Sequence, residues 1–449
     1  MAVVKNNRAI IAVNRFGLGA SGTELSVAQH DPEQWLLQQL VNPVFDKALG
    51  DTVSAFRVIA DLKAYKRRSR KGEVNGADAA QMFVKPFRDG LFKNSIDFSI
   101  TTDTPFSIRL FDFFSNHFSV SASNQLLAIL APTLERDAIA PNLFGQFADL
   151  LIAVEQHPAM LMYLNNEKSV GPNSYLGKRS RGLNENLARE ILELHTLGRG
   201  AGYSLADIRQ LAMAISGWSF VGDKGVGKSG FTFNSRGHEP GIRNVLGIVY
   251  SDSGLGQGEA VLRDLARHEK TAQSISYKLA QHLIADEPPK ELVAAMTKTW
   301  IKTEGNIKAV VTTLVKHPQS WQSQAQKFKT PREFVVSACR AVNSSKVVDQ
   351  SNLNIALRGL SLMGQKPFAA GSPAGYSQLN RDWLGSDALM KRIDWVNLLS
   401  RRNRQDPKSV VGRIFESHLS SLTIKSLAGA ESRAQALALL LLSPEFQRR

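Results

Sequence analysis

The chain has little cysteine: Cys339 is the single one among 449 residues. An internal disulfide framework and any multi-cysteine metal site are thereby excluded. Cys339 sits in EFVVSACRAV, an apolar helical pattern, so a buried structural thiol is expected. Long apolar runs are also missing, and no stretch approaches the length that crosses a bilayer. The opening MAVVKNNRAIIAVNRFGLGA has too short an apolar stretch for a signal peptide. Taken at face value, the chain stays in the cytoplasm. The nine histidines include no H-E-x-x-H pair, so no zinc hydrolase is indicated and no metal is designated. Nothing in the composition points to a cofactor, which stays unknown at this level.

Acidic residues are in short supply as well, 40 against 55 Lys and Arg, giving a formal net charge of +15. That balance attracts anionic partners such as nucleic acid, acidic glycans and other acidic polymers, or an anionic membrane face. The excess is partly concentrated in KAYKRRSRK (63–71), GKRSR (177–181) and RRNR (401–404). With 43% hydrophobic and 21% charged residues, the chain is otherwise an ordinary globular one with a large core.

What is present in abundance is helical periodicity. Asp31-Pro32-Glu33 ahead of QWLLQQLV supplies an N-cap, a proline at the first helical position and an early acid. Apolar residues recur at three-to-four spacing in TPFSIRLFDFFSNHF (104–118), QFADLLIAVEQH, DIRQLAMAISGW, AQSISYKLAQHLIAD, ELVAAMTKTWI and AQALALLLL. Three such segments run into His157-Pro158, His317-Pro318 and Ser443-Pro444, where proline must break one helix and start another turn. Residues 219–258 differ, being rich in glycine, with FTF and IVY as short strand pieces. These signals predict a mainly α protein, a multi-helix core with a small Gly-rich β-hairpin excursion. They divide it into an N-terminal helical lobe (1–218), the Gly-rich excursion (219–258) and a C-terminal helical lobe (259–449). KAYKRRSRKGEVNGAD (63–78) reads as a mobile loop.

The excursion contains GDKGVGKS (222–229), a formal match to the phosphate-cradling loop. That loop needs a helix after it to aim N–H groups at phosphate, and GFTFN cannot start one, so the match reads as accidental.

The most patterned stretch is NENLAREILELHTLG (184–198). On an α-helical wheel Leu187, Ala188, Ile191, Leu192, Leu194 and Leu197 cover more than half the circumference. Glu185, Arg189 and Glu193 fall on the remaining face as a ladder of opposite charges. Glu190 falls inside the apolar sector, where a carboxylate needs a partner or a raised pKa. The wheel turns His195 away from it by well over 90°. The partner is therefore sought elsewhere, and Asn116 and His117 in FFSNHF are the candidates. The preceding loop, with Lys178, Arg179 and Arg181, runs into the N-terminus of this helix and reads as an anion-binding rim.

NRFGLGA (14–20), FFSNHFSVS (113–121), HPAMLMYLNN (157–166), NENLAREILELHTLG, DIRQLAMAISGW (207–218), a His-bearing stretch around His238, SPAGYSQ (372–378) and LLSPEFQ (441–447) occur together. In this order they resemble the bacterial family called domain of unknown function 1800. The resemblance spans nearly the whole chain. It implies mostly helical structure, frequent export and genetic pairing with a sulfatase-like family, domain of unknown function 1501. It carries over no catalytic residue, and this chain departs from exported members in lacking a leader.

Two classes of function fit. One is a hydrolase acting on an anionic or carbohydrate polymer, with Glu190 as acid or base near Asn116 and His117, and Lys178, Arg179 and Arg181 holding substrate. The other is a non-catalytic basic adaptor for an acidic polymer, glycan or protein, a sulfatase-like protein among them.

Overall fold

A computed structural model describes residues 8–45, 51–74, 78–179, 182–221, 230–322, 325, 327–343, 348–415 and 418–449. The architecture is mainly helical, with two small antiparallel hairpins.

α1 (Thr52–Arg70) starts at Asp51, whose carboxylate accepts from Ser54 N at 2.7 Å, and it ends in Arg67, Arg68 and Arg70. Residues 63–70 are therefore helix, not the loop expected from their charge. Cations in a last turn face the negative end of the helix dipole, so the basic run favours helix there.

α2 (Lys85–Thr101) leads into α3 (Pro105–His117), which is buried on almost all sides. Its aromatic residues carry the packing: Phe106 meets Phe16 edge-on at 5.7 Å, and Phe114 stacks on Phe118 at 6.3 Å. Burying each such ring stabilises the fold by about 1.5–3 kcal/mol. α4 (Gln125–Leu134) and α5 (Phe147–Glu155) pack around it, followed by α6 (Asn186–Glu190) and α7 (Leu205–Ala214).

β1 (Trp218–Val221) pairs with β2 (Gly230–Phe233), and β3 (Arg243–Val245) pairs with β4 (Ile248–Tyr250). FTF and IVY are both strands, as expected, but they belong to two hairpins and do not pair with each other. The second closes on its own two-residue turn, Leu246-Gly247, with φ of 53° and 80°, the conformation that matches strand twist. GDKGVGKS (222–229) lies outside the described residues, and strand β2 follows it directly.

Then come α8 (Leu255–Arg267), α9 (Glu269–Leu283), α10 (Lys290–Lys302), α11 (Ile307–Lys316), α12 (Pro331–Val342), α13 (Gln350–Leu362), α14 (Ser386–Arg402) and α15 (Arg433–Leu442). The three X-Pro breaks all start new turns. His157 Nδ1 accepts from Ala159 N at 3.1 Å, His317 Nδ1 from Gln319 N at 3.4 Å, and Ser443 Oγ from Phe446 N at 3.3 Å.

One buried cluster runs from Ile11 to Trp321, crossing the hairpin region through Trp218, Val245 and Tyr250. A second joins residues near the N-terminus, such as Val13 and Leu18, to Phe334, Trp395 and Phe446. α3 contributes to both, since Phe111 belongs to the first and Ile108 to the second. Cys339 is buried in α12, and burial pushes its thiol up to about 12. Among the described residues no helix is long and apolar enough to cross a membrane.

α13 and α14 touch where Gly359 meets Trp395. A methyl group at Gly359 would collide with the indole, which is buried and hydrogen-bonded from Nε1 to Ile355 O at 2.9 Å. Because the ring cannot move without losing that bond, Gly359→Ala is expected to destabilise the protein by about 1–3 kcal/mol. Urea denaturation checks this, and an unchanged midpoint would mean that the two helices can separate freely.

Candidate functional site

α3 carries a polar stripe along one face of an otherwise aromatic helix. Arg109, Asp112, Ser115 and Asn116, with Ser119 just beyond its end, are three or four residues apart and so share one face. All five line a narrow cleft with a cavity volume of about 100 Å³. Glu135 faces the stripe from the π turn after α4, His282 from the end of α9, and Thr330, Arg332 and Glu333 from the start of α12. Phe92, Pro367, Phe368 and Tyr376 form its apolar wall.

The cleft floor is an ion network. Glu333 Oε1 is held by Arg109, and by Arg449 Nη2 at 2.6 Å, while Oε2 accepts from Thr330 N at 2.8 Å. Its burial is outweighed by those two guanidinium groups, so the Glu333 carboxyl is held far below the usual range. Arg332 pairs with Asp112 at 2.8 Å. Arg449 reaches the floor because Lys327 and Lys329 align with the residues around it: Arg449 N donates to Lys327 O at 2.9 Å and Lys329 N to Gln447 O at 2.9 Å. Lys329 is fully enclosed, and burial, reinforced by Arg109, pushes its ammonium down to about 7.

Two further groups line the cleft. Glu135 accepts a hydrogen bond from the Ser115 hydroxyl. Burial raises its pKa above the ordinary value, against the opposing pull of Ser115 and Arg332, and Asp112 adds to the rise. His282 Nδ1 is 2.7 Å from Gln378 Oε1, so Nδ1–H donates there and leaves Nε2 as an acceptor; that atom is buried with no partner among the described residues. Burial, then Arg449, push His282 down to about 3, so its ring is neutral.

A strap, residues 365–378, closes one side of the cleft. Asn116 holds it with both ends of its amide: Nδ2 donates to Tyr376 O at 2.9 Å, and Oδ1 accepts from Tyr376 N at 2.8 Å. Ala122 N donates to Phe368 O at 2.8 Å. Phe368 adopts φ of 52°, a left-handed conformation costly for an aromatic residue and one that tends to persist at functional sites.

The sequence-derived candidates separate. Asn116 lines the cleft and positions its strap. His117 lies behind the cleft wall, stacked on Phe113 at 5.9 Å, with Nε2 3.2 Å from His195 O. Burial holds its pKa well below the usual histidine value. Glu190 is half-buried, its pKa raised by burial, and makes no hydrogen bond to Asn116 or His117 among the described residues.

The patterned helix itself changes character at Ile191, where it becomes a π turn through His195. A π turn closes i→i+5 and winds less per residue than an α-helix. His195 is thereby swung inward and fully buried. The α-helical wheel, which separated it from Glu190, does not hold past Ile191. The true buried carboxylate–imidazole pair is His195 Nδ1 with Glu155 Oε1 at 2.7 Å. Of the charge ladder, Arg189 and Glu193 pair at 3.6 Å on the surface.

Lys178 and Arg179 stand exposed on a short turn, Gly177–Arg179, and Arg181 lies outside the described residues. The helix N-terminus beyond them is only one α turn, and Asn184 Oδ1 already accepts from Asn186 N at 2.9 Å. Asn184 thus engages one of the N–H groups at the start of the helix toward which the loop runs.

Fold and cleft together define a helical protein built around a buried polar cavity. The chain matches the family described as Protein of unknown function (DUF1800) over residues 11–448, and it belongs to that family. No curated protein and no solved structure matches it.

Proposed function

We propose that the chain is a hydrolase cleaving a glycosidic linkage in an anionic or carbohydrate polymer, with the α3–α12 cleft as its site. The observation that carries this reading is Glu135, a buried carboxyl whose enclosure favours its protonated form, in a cleft that also holds the ion-paired carboxylate Asp112. Two carboxyl groups in unlike environments are the arrangement that splits acid from base roles. Glu135 donates its proton to the leaving glycosidic oxygen. Asp112 takes a proton from the water that attacks the anomeric carbon. The products are two sugar hydroxyl ends, and proton exchange with solvent restores both groups. Glu333 is unsuited to either role, because both its oxygens are already engaged. Tyr376 on the cleft wall offers an aromatic surface to a sugar, and His282 Nε2 offers an acceptor for a sugar hydroxyl.

The test is release of reducing ends from a panel of neutral, carboxylated and sulfated polysaccharides. Wild-type protein is expected to cleave at least one member. Glu135→Gln, which keeps the shape but cannot donate the proton, is expected to slow that cleavage about a hundredfold or more. Equal rates for the two proteins, or no cleavage of any member, would overturn the proposal.

A further inference from the structure

We infer that Tyr175, Arg179 and Arg236 form a surface site that grips the carboxylate or sulfate groups of an acidic polysaccharide. This site stands whether or not the cleft cleaves the polymer. The Arg179 and Arg236 guanidinium carbons each lie 4.1 Å from the Tyr175 ring centroid. Both guanidinium groups therefore lie over the ring within cation–π reach. Tyr175 is 46% exposed, and both arginines are exposed.

Neither arginine forms an ion pair among the described residues. Each ring contact restrains a guanidinium while its N–H donors make no hydrogen bond among the described residues. Those donors match carboxylate and sulfate bidentately. Bringing two like charges to one ring costs repulsion, which a bound anion relieves.

The scaffold keeps the pair in place before any ligand arrives, which lowers the ordering cost of binding. Leu176 N donates to Arg236 O at 3.0 Å, and Gly171 N to Gly237 O at 2.9 Å, tying the two loops together. The buried Glu239 carboxylate accepts from Asn173 N at 2.8 Å and Asn173 Nδ2 at 2.6 Å. A side chain at Gly171 would strike Glu239, and one at Gly177 would strike the Gly171 carbonyl. The loops must therefore be glycine where they cross.

The same geometry argues against single-stranded nucleic acid. Its binding sites present open aromatic faces on which bases stack, and the Tyr175 ring is already engaged by two guanidinium groups. Discrete anionic groups spaced along a sugar chain need only the guanidinium edges.

The experiment measures binding of the full chain at low salt to a labelled heparin oligosaccharide, polygalacturonate, neutral dextran and oligo-dT. Binding of heparin and polygalacturonate, weakening as salt rises, is expected, with little binding of dextran. Arg179→Ala/Arg236→Ala should weaken it at least tenfold, and Tyr175→Ala should do so too, while Tyr175→Phe retains it. Removing Arg401, Arg402 and Arg404 together should change it less than twofold. Because binding and not turnover is read, Glu135→Gln should bind as wild type does, which separates this site from the cleft. Equal losses from the two sets of arginines, oligo-dT binding as tight as heparin, or no binding of either acidic polysaccharide would each overturn the inference.

Discussion

Glu333→Ala is expected to cost about 3–5 kcal/mol of stability, the size of effect seen when one partner of a buried ion network is removed. Arg109 and Arg449 are 1% and 3% exposed, and both spend their charge on the same Glu333 oxygen. Without that carboxylate two guanidinium groups face each other in a dry interior. Desolvation already holds Arg109 down to about 10 with Glu333 present. The substitution also removes the reciprocal cap between Glu333 and Thr330 that starts α12. Glu333→Gln keeps an acceptor for the cap but not the charge, so its loss should be nearly as large. Urea denaturation gives both values. A cost under about 1 kcal/mol for Glu333→Ala would mean that water or another anion reaches the arginines, contrary to their burial.

The second large effect is a loss of stability in acid that belongs to His282. Its folded-state pKa, about 3, lies below the ordinary 6.5 because the ring is buried beside Arg449 and Arg109. A depressed pKa contributes stability that is fully present above the unfolded value and is lost as pH falls toward the folded one. The window therefore opens near pH 6.5 and runs down to about 3. Between pH 7 and pH 4 the contribution is about 3 kcal/mol. His282→Gln has no proton to gain there, so its stability should fall with pH by about that much less than wild type. Parallel pH profiles for the two proteins would show that His282 is not enclosed as the structure places it.

The parts legible in sequence are those set by neighbours along the chain. The helices from 104–118 to the C-terminal AQALALLLL follow from apolar spacing, and Asp31, His157, His317 and Ser443 act as caps because proline follows each of them. The stripe Arg109, Asp112, Ser115, Asn116 and Ser119 was legible too, since polar residues at helical spacing in a phenylalanine-rich helix need a reason. Asn116 alone of the candidate acid–base residues falls on it.

Other features depend on distant residues or on a change of helix type. Arg109 finds Glu333 across 224 residues, and no local pattern foretells that pairing. Glu135 sits in TLERDAI, where its charge reads as an exposed helix position until the folded chain encloses it. His195 falls on the wrong face of an α-helical wheel because its segment is a π turn. Its partner Glu155 ends the apolar segment QFADLLIAVEQ, with nothing nearby to mark it. The 63–70 run resembles a loop in its charge density, yet nothing in it breaks a helix.

The measurement closest to the proposed role of the cleft is the titration of Glu135 itself. Carbon NMR of protein labelled at the glutamate carboxyl groups, with Glu135→Gln to assign the signal, gives its pKa directly. A value clearly above the ordinary 4.5, falling when Arg332 and Ser115 are left intact and Asp112 is replaced by asparagine, is the predicted result. A value at or below 4.5 would contradict it, because the cleft would then not favour the protonated form that the acid role needs.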